Sequence, residues 1–380
     1  RIIEAVKAID GVEVMEVVDP VFESHRGGKI HSTSRVRLEH VSDLRSIYTP
    51  GVARVSTAIQ RDPDRAWDLT GVGGSVAIYT NGTRVLGLGD IGPLASLPVM
   101  EGKAVMYDRF VGLSATPILV DTKDPDEFVE TVLRTHKGFG GIHLEDIRVP
   151  ECFRIEDELM RRLEKPVMHD DQHGTAAVTL AAVINACKVA ELDLRKARIG
   201  QIGLGAAGSA IASLLLSYGV GEVLVTDVSA DAIGRLVERG ARGTDFDGVL
   251  AGSDIVIAAT GRAGLIPAAR VRTGQIVFAL SNPYPEIDPG VAVAAGAAFA
   301  SDGRSINNIL AYPGLFKGAL AVRSRSITPE MKIVAAETIA RLAEPGEVVP
   351  SPFSMELHSE VASRVARMAI DQGLENTLRL

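Results

Sequence analysis

The chain has 380 residues, 46% of them hydrophobic and 23% charged, with a formal net charge of -8. That length gives room for about two domains whose cores need no disulfide or structural metal, and the negative balance disfavours a nucleic-acid or anionic-membrane partner, because phosphates are bound by positive faces. Cys152 and Cys187 are the only cysteines, without zinc-site spacing and too few for a disulfide framework, which points to a reducing, cytoplasmic compartment; no signal peptide and no membrane-length apolar run is found.

The chain opens on Arg1 rather than methionine, so a further stretch is expected upstream. Ile2 to Ile9 has helical spacing, Asp10-Gly11 marks a turn, and Val12 to Val18 reads as a strand. The polar, glycine-containing stretch from Ser24 to Arg37 reads as a linker. From about Leu38 to Leu163 short buried strands, such as Ser75–Tyr79 and Pro117–Val120, mix with helices. Beyond about Lys165 an alanine-rich helix is predicted over Gly174–Val189. Strand and helix then alternate: Arg198–Ile202, Ala206–Tyr218, Glu222–Thr226, Ala230–Arg239, Ser253–Ala258 and Gln275–Ala279. Such alternation predicts a parallel sheet covered by helices on both faces. Pro329 to Ile370 reads as two or more helices. The expected class is α/β: a mixed N-terminal substrate domain, then a doubly wound, Rossmann-type dinucleotide-binding domain.

Gly203-Leu204-Gly205-Ala206-Ala207-Gly208 follows the strand Arg198–Ile202 and opens a helix, and Asp227 ends the next strand. A lone G-x-G-x-x-G is weak, but this context is the one a dinucleotide requires. Gly203 permits the tight turn, Gly205 admits the pyrophosphate, and Gly208 lets helix and sheet pack closely, with the helix N-terminus attracting the phosphates. Asp227 would accept from the adenosine ribose hydroxyls, which favours NAD over NADP; Arg235, a turn or more further on, could still rescue NADP. Thr260-Gly261 and Ser281-Asn282-Pro283 end predicted strands, where ligands of open sheets bind.

Two short motifs carry paired acids, Glu145-Asp146 and Asp170-Asp171. Asp170 or Asp171 would serve equally as the cap of the helix near Gly174 or as a metal ligand. Oxygen ligands suit Mg²⁺ or Mn²⁺. His169 and His173 lack a third ligand with zinc spacing.

These residues resemble the malic enzymes of the shorter, prokaryotic type over about residues 38–380. The resemblance rests on Tyr48-Thr49-Pro50-Gly51-Val52-Ala53, Arg84-Val85-Leu86-Gly87-Leu88-Gly89-Asp90-Ile91-Gly92, Pro98 to Lys103, the segments 139–142 and 144–147, His169 to Ala176, Ser281-Asn282-Pro283, Asn307-Asn308 and Tyr312-Pro313-Gly314. It implies oxidative decarboxylation of L-malate to pyruvate and carbon dioxide with NAD (or NADP) and Mg²⁺ or Mn²⁺. Carried over residue by residue, it makes Lys103 the general base with Asp170 beside it, and Tyr48 the acid that protonates the enol. Glu145, Asp146 and Asp171 would hold the metal, while Arg84, Asn282 and Asn308 would bind the malate carboxylates. Asn282 would also border the cofactor, with Gly203, Gly205, Ala206, Ala207, Gly208, Asp227, Thr260 and Gly261. A homodimer or higher homo-oligomer is expected.

The chain departs from many such enzymes at Asn81, where they carry Asp, and at His143, where they carry Asn, and the stretch Ser229–Gly248 is shorter. The expected organisation is a remnant of an ACT-type regulatory domain over 1–20, a linker over 21–37, the N-terminal catalytic domain over 38–164 and the NAD-binding domain with C-terminal helices over 165–380. Two alternatives remain at this stage: a malolactic-type enzyme that keeps its NAD, and an inactive dinucleotide-binding sensor.

Overall fold

The structure, a computed structural model, describes residues 2–85 and 87–376. Leu86, within the expected Arg84–Gly92 motif, and residues 377–380 lie outside the described residues. The first sheet contains β1 (Ser75–Thr80), β2 (Ser114–Leu119), β3 (Gly141–Leu144) and β4 (Val167–His169), in the order β2-β1-β3-β4. All its pairings are parallel, and the helices Gly92–Val111, Pro125–Thr135 and Glu151–Arg162 supply the crossovers that parallel pairing demands. Because β4 belongs to this sheet, the sheet runs one strand past the border expected at residue 164.

The second sheet holds β5 (Arg198–Ile202), β6 (Glu222–Thr226), β7 (Arg242–Gly243), β8 (Ile255–Ala258), β9 (Ile276–Ala279) and β10 (Phe299–Asp302). Its order is β10-β9-β8-β5-β6-β7, again with parallel pairing throughout. The chain leaves β5 in one direction and returns at β8 on its other side, so a crevice opens between these two strands at their carboxyl ends. The expected doubly wound α/β architecture is therefore present.

The helix Asp170–Val189 leaves β4 and runs into the second half of the molecule. It is buried on most sides, through Ala176, Ala177, Val178, Leu180, Ala181, Ala182 and Val183. Its small side chains let the helices Ala206–Tyr218 and Pro329–Arg341 pack against it. One continuous apolar cluster joins Val76 and Ile78 of β1 to Ile199, Ile255 and Ile276 of the second sheet. The tail forms two helices, Pro329–Arg341 and Met355–Asp371, as expected.

The N-terminal expectations need correction. Ile2–Lys7 is helical, but Val12–Val18 is no strand: a strand requires a ladder partner, and none lies beside it among the described residues. The linker begins with a short helix, Pro20–His25, whose first amides donate to Asp19. No residue from 3 to 75 is buried.

Candidate active site

β3 is fully buried, and the chain emerges from it at Glu145 and Asp146. In the parallel register Leu144 faces His169, the last residue of β4. That register brings Asp170 and Asp171 to the same edge of the sheet as Glu145 and Asp146. The helix starts at Asp170, four residues before the predicted Gly174, so both aspartates lie in its first turn. His169 takes the N-cap position without a side-chain cap bond, which removes the capping alternative for either aspartate. Asp146 has a φ of 55°, a left-handed conformation that a non-glycine residue holds only when its surroundings enforce it. Here its N–H donates to Asp171 Oδ2 at 2.9 Å, and its carbonyl accepts from the Arg84 N–H at 3.0 Å.

Lys103 projects from the helix Gly92–Val111 into this group. Its Nζ lies 3.0 Å from Glu145 Oε1, forms an ion pair with Asp170 Oδ2, and stands 4.6 Å from the centre of the Tyr312 ring. The other Glu145 oxygen is bonded to His143 Nε2 at 2.6 Å, and His143 Nδ1 to the Tyr107 hydroxyl at 2.9 Å. His143, singled out as a departure, thus supports an expected metal ligand from behind.

The electrostatics suit a divalent cation. Burial pushes Glu145 up to about 8, with Lys103 opposing and Asp171 adding to the rise. Burial and the neighbouring Asp171 and Glu145 push Asp146 up to about 9. Burial also raises Asp170 to about 6, against the pull of Lys103. Ligand atoms of Glu145, Asp146 and Asp171 lie within 4.8 Å of one another, and Asp146 Oδ2 is buried without a hydrogen-bond partner. An all-oxygen set with an orphaned carboxylate oxygen fits Mg²⁺ or Mn²⁺. His143, Glu145 and Asp170 form a second such group, but Lys103 already bridges its two acids. Neither His169 nor His173 belongs to a group of this kind among the described residues. For Lys103, desolvation pulls the amine down, yet Asp170 and Glu145 prevail and hold it well above the usual lysine range. Desolvation alone therefore does not free the amine to act as a base, whereas a nearby dication would favour its neutral form.

The remaining expected residues are Arg84, Asn308, Asn282 and Tyr48. Arg84 reaches the second sheet: its Nη2 lies 3.8 Å from where a β-carbon on Gly261 would stand. Asn308 packs beside the turn of Asp170, its Cβ 3.2 Å from the β-position of Gly174. Asn282 follows β9, and its Nδ2 is 2.6 Å from the β-position of Gly303. Tyr48 is not brought to Lys103 by any recorded contact. It is 66% exposed, and its hydroxyl makes no hydrogen bond among the described residues.

The dinucleotide loop has the expected form. Gly203 has a φ of +84°, and a β-carbon there would lie 2.6 Å from the Ala259 carbonyl oxygen. A β-carbon on Gly208 would sit 1.9 Å from the carbonyl oxygen of Gly203, so only glycine fits. Nothing lies within 4 Å of the β-position of Gly205, which leaves the N-terminus of Ala206–Tyr218 open beside Ala206 and Ala207. That open cradle fits a pyrophosphate. Asp227 accepts from the N–H of Leu204 at 2.6 Å and of Ser229 at 2.8 Å, and a carboxylate retains lone pairs for further donors.

Two acids that the sequence reading did not single out are integral here. Glu156 is buried and accepts from the His169 N–H at 2.7 Å, Gln172 Nε2 at 2.8 Å and His173 Nε2 at 3.0 Å. A signal was available, because Glu156 shares the apolar face of its helix with Cys152, Ile155 and Leu159. The other is Glu286, fully buried after β9, for which no sequence spacing gives a cue.

Residues 28–160 match the malic enzyme N-terminal domain family. The chain is 49% identical to NAD-dependent malic enzyme 1 of Bacillus subtilis over 97% of this chain and 85% of that protein. It is 40% identical to the bifunctional malic/malolactic enzyme of the same organism, over 91% of each. The crystal structure of malic enzyme from Pyrococcus horikoshii superposes with a TM-score of 0.89 at 38% identity, covering 94% of this chain and 92% of that one. Identity at this level, over nearly the whole length and on the same fold, shows that the chain belongs to the malic enzyme family.

Proposed function

We infer that the chain catalyses the metal-dependent oxidative decarboxylation of L-malate to pyruvate and carbon dioxide with reduction of NAD. The observation that carries this reading is the Lys103 amine set between Glu145 and Asp170, next to the orphaned oxygen of Asp146. Glu145, Asp146 and Asp171 would hold the dication, which would supply a Lewis acid for the hydroxyl end of malate. The Gly203–Gly208 loop would hold NAD, which would supply the acceptor for the C2 hydride. Lys103 removes the C2 hydroxyl proton, and Asp170, its ion-pair partner, fixes the amine and offers the proton a second seat. Arg84 presents a planar fork to a malate carboxylate, and Asn282 and Asn308 donate to the carboxylates from the second domain. Tyr48 delivers the proton that C3 needs after carbon dioxide leaves.

We place the chain in a homodimer or higher homo-oligomer. Val17, Val18, Val21, Phe22, Val41, Leu44 and Tyr48 are all exposed, in a region where nothing is buried, and apolar surface of that kind marks a protein contact. A second copy over this face also covers Tyr48. Light scattering on the purified chain tests this, and a monomer at micromolar concentration sinks it. No helix among the described residues is long and apolar enough to cross a membrane. The two buried, unpaired thiols of Cys152 and Cys187 fit the cytoplasmic setting proposed.

The deciding experiment is NAD reduction with L-malate and Mn²⁺, before and after EDTA. Growth of NADH absorbance that chelation abolishes and Mn²⁺ or Mg²⁺ restores supports the reading; undiminished activity after exhaustive chelation removes the metal from it. The similarity to a malic/malolactic enzyme favours a second reading, in which NAD stays bound and lactate is released. Lactate formed without free NADH would establish it.

A further inference from the structure

Glu286 is fully buried in the segment between β9 and the helix Pro289–Ala294. It has no lysine, arginine or histidine partner among the described residues. Four donors from two loops satisfy it instead. Its Oε1 accepts the Thr260 N–H at 2.7 Å, the Thr260 hydroxyl at 2.8 Å and the Ser281 hydroxyl. Its Oε2 accepts the Ser281 N–H at 3.2 Å. The Ser281 hydroxyl closes the circuit by accepting the Gly261 N–H at 2.7 Å. One carboxylate thereby ties the loop after β8 to the loop after β9.

These loops carry different sets of ligands in the reading above. Thr260 and Gly261 border the cofactor, whereas Asn282, next to Ser281, binds malate as well as bordering the cofactor. Arg84, from the first domain, comes to the same place at the β-position of Gly261. A shift of either loop is passed to the other through a buried group that has no alternative partner, since leaving such a charge unsatisfied is strongly unfavourable. We propose that Glu286 is a positioning residue that couples the malate site to the dinucleotide site, so that each ligand raises the affinity for the other. The proposal rests on the assignment of Thr260, Gly261, Arg84 and Asn282 to those two ligands.

The chemistry requires a carboxylate. Glutamine has one acceptor oxygen and one amide nitrogen that only donates. With its oxygen at the Oε1 position, its nitrogen faces the Ser281 N–H, donor to donor; turned over, it faces three donors. Glu286→Gln therefore cuts the backbone link to the Asn282 loop while keeping the size of the side chain. Ser281→Ala cuts the hydroxyl relay between Glu286 and Gly261 and leaves the carboxylate in place.

The test uses the full chain with Mg²⁺ and the dead-end pair NADH and L-malate, which bind together without turnover. NADH affinity is read from its fluorescence with and without saturating malate, and malate affinity with and without NADH. In the wild type each ligand is expected to tighten the other by the same factor, about fivefold or more. In Glu286→Gln and Ser281→Ala that factor is expected to fall toward one. Ser281→Ala decides the matter if Glu286→Gln does not fold. A role confined to stability would weaken each ligand alone and leave the factor unchanged, and that result would overturn the proposal. So would a wild type that oxidises malate normally yet shows a factor of one. A wild type that neither binds NADH nor oxidises malate overturns the functional reading itself.

Discussion

The Lys103 amine lies 3.0 Å from Glu145 Oε1, so the group assigned to take a proton shares an oxygen with a group assigned to hold the dication. Burial lifts Glu145 to about 8 and Asp146 to about 9, so without the metal the cluster holds on to protons more readily than ordinary carboxylates do. A dication binds the ionised forms and must displace those protons. The affinity for Mn²⁺ is thus expected to rise steeply between about pH 6 and 9, with net proton release at pH 7. Calorimetry in buffers of different ionisation enthalpy measures both, and an affinity flat across that window contradicts the electrostatic picture.

Lys103 and Tyr48 are expected to separate in partial reactions. Lys103→Ala should lower malate oxidation by roughly 10²–10⁴, the usual worth of a positioned base. Decarboxylation of added oxaloacetate should suffer less, because its demand is for an electron sink rather than a base. Tyr48→Phe should instead suppress exchange of pyruvate methyl protons in heavy water, which requires protonation at C3 and no hydride transfer. Exchange at the wild-type rate in that variant would take Tyr48 out of the acid role.

Cofactor choice turns on Asp227 and on the nearest cation. Arg235 was the residue that could have rescued NADP, but its guanidinium stacks 5.5 Å from the centre of the Phe153 ring. The chain is therefore expected to prefer NAD. Asp227→Ala should lower the catalytic efficiency with NAD by about tenfold or more, since a hydrogen bond to a charged group is worth about 1.5–3 kcal/mol. It should lower that with NADP less. Steady-state kinetics with both cofactors checks this, and a wild-type efficiency higher with NADP would refute the assignment.

Glu156 sets an acid limit on the fold. Burial pushes its carboxyl up, but His173 and Lys332 outweigh burial and bring it down to about 2, below the ordinary 4.5. A carboxylate depressed on folding contributes stability that is fully present above the unfolded value and is lost as pH falls through the folded one. The window is therefore about pH 4.5 to 2. Urea unfolding of the wild type and Glu156→Gln should show a gap at pH 7 that narrows across that window. A gap of constant size would assign the effect of Glu156 to packing rather than to its charge.

Much of the second sheet was legible because its signals are local. Arg198–Ile202, Ala206–Tyr218 and Glu222–Thr226 form over the predicted residues, since the glycines of the intervening turn and the switch of periodicity are properties of the chain itself. The helix before them starts at Asp170 rather than Gly174; Gly174 looks like a boundary in sequence, yet it is the side chains of Asp170 and Asn308 that leave no room there for a larger residue. Val12–Val18 alternates like a strand but lacks a partner. Lys103 and the four acids converge through resemblance and strand register. The burial of Glu286 was illegible, because a charge becomes tolerable inside a protein only through donors that arrive from elsewhere, here Thr260 and Ser281.

The helix Asp170–Val189 has a consequence for modularity. Its 20 residues span about 30 Å, with the acids of the active site at one end and the packing of the dinucleotide half along its length. A fragment ending at residue 164 would lose β4, both aspartates and the apolar cover of β1. A fragment starting there would carry two aspartates with no lysine to meet them. The chemistry of this chain is accordingly not a transplantable cassette: the two halves can be named separately, but neither can be inherited, swapped or expressed as a working part without the other.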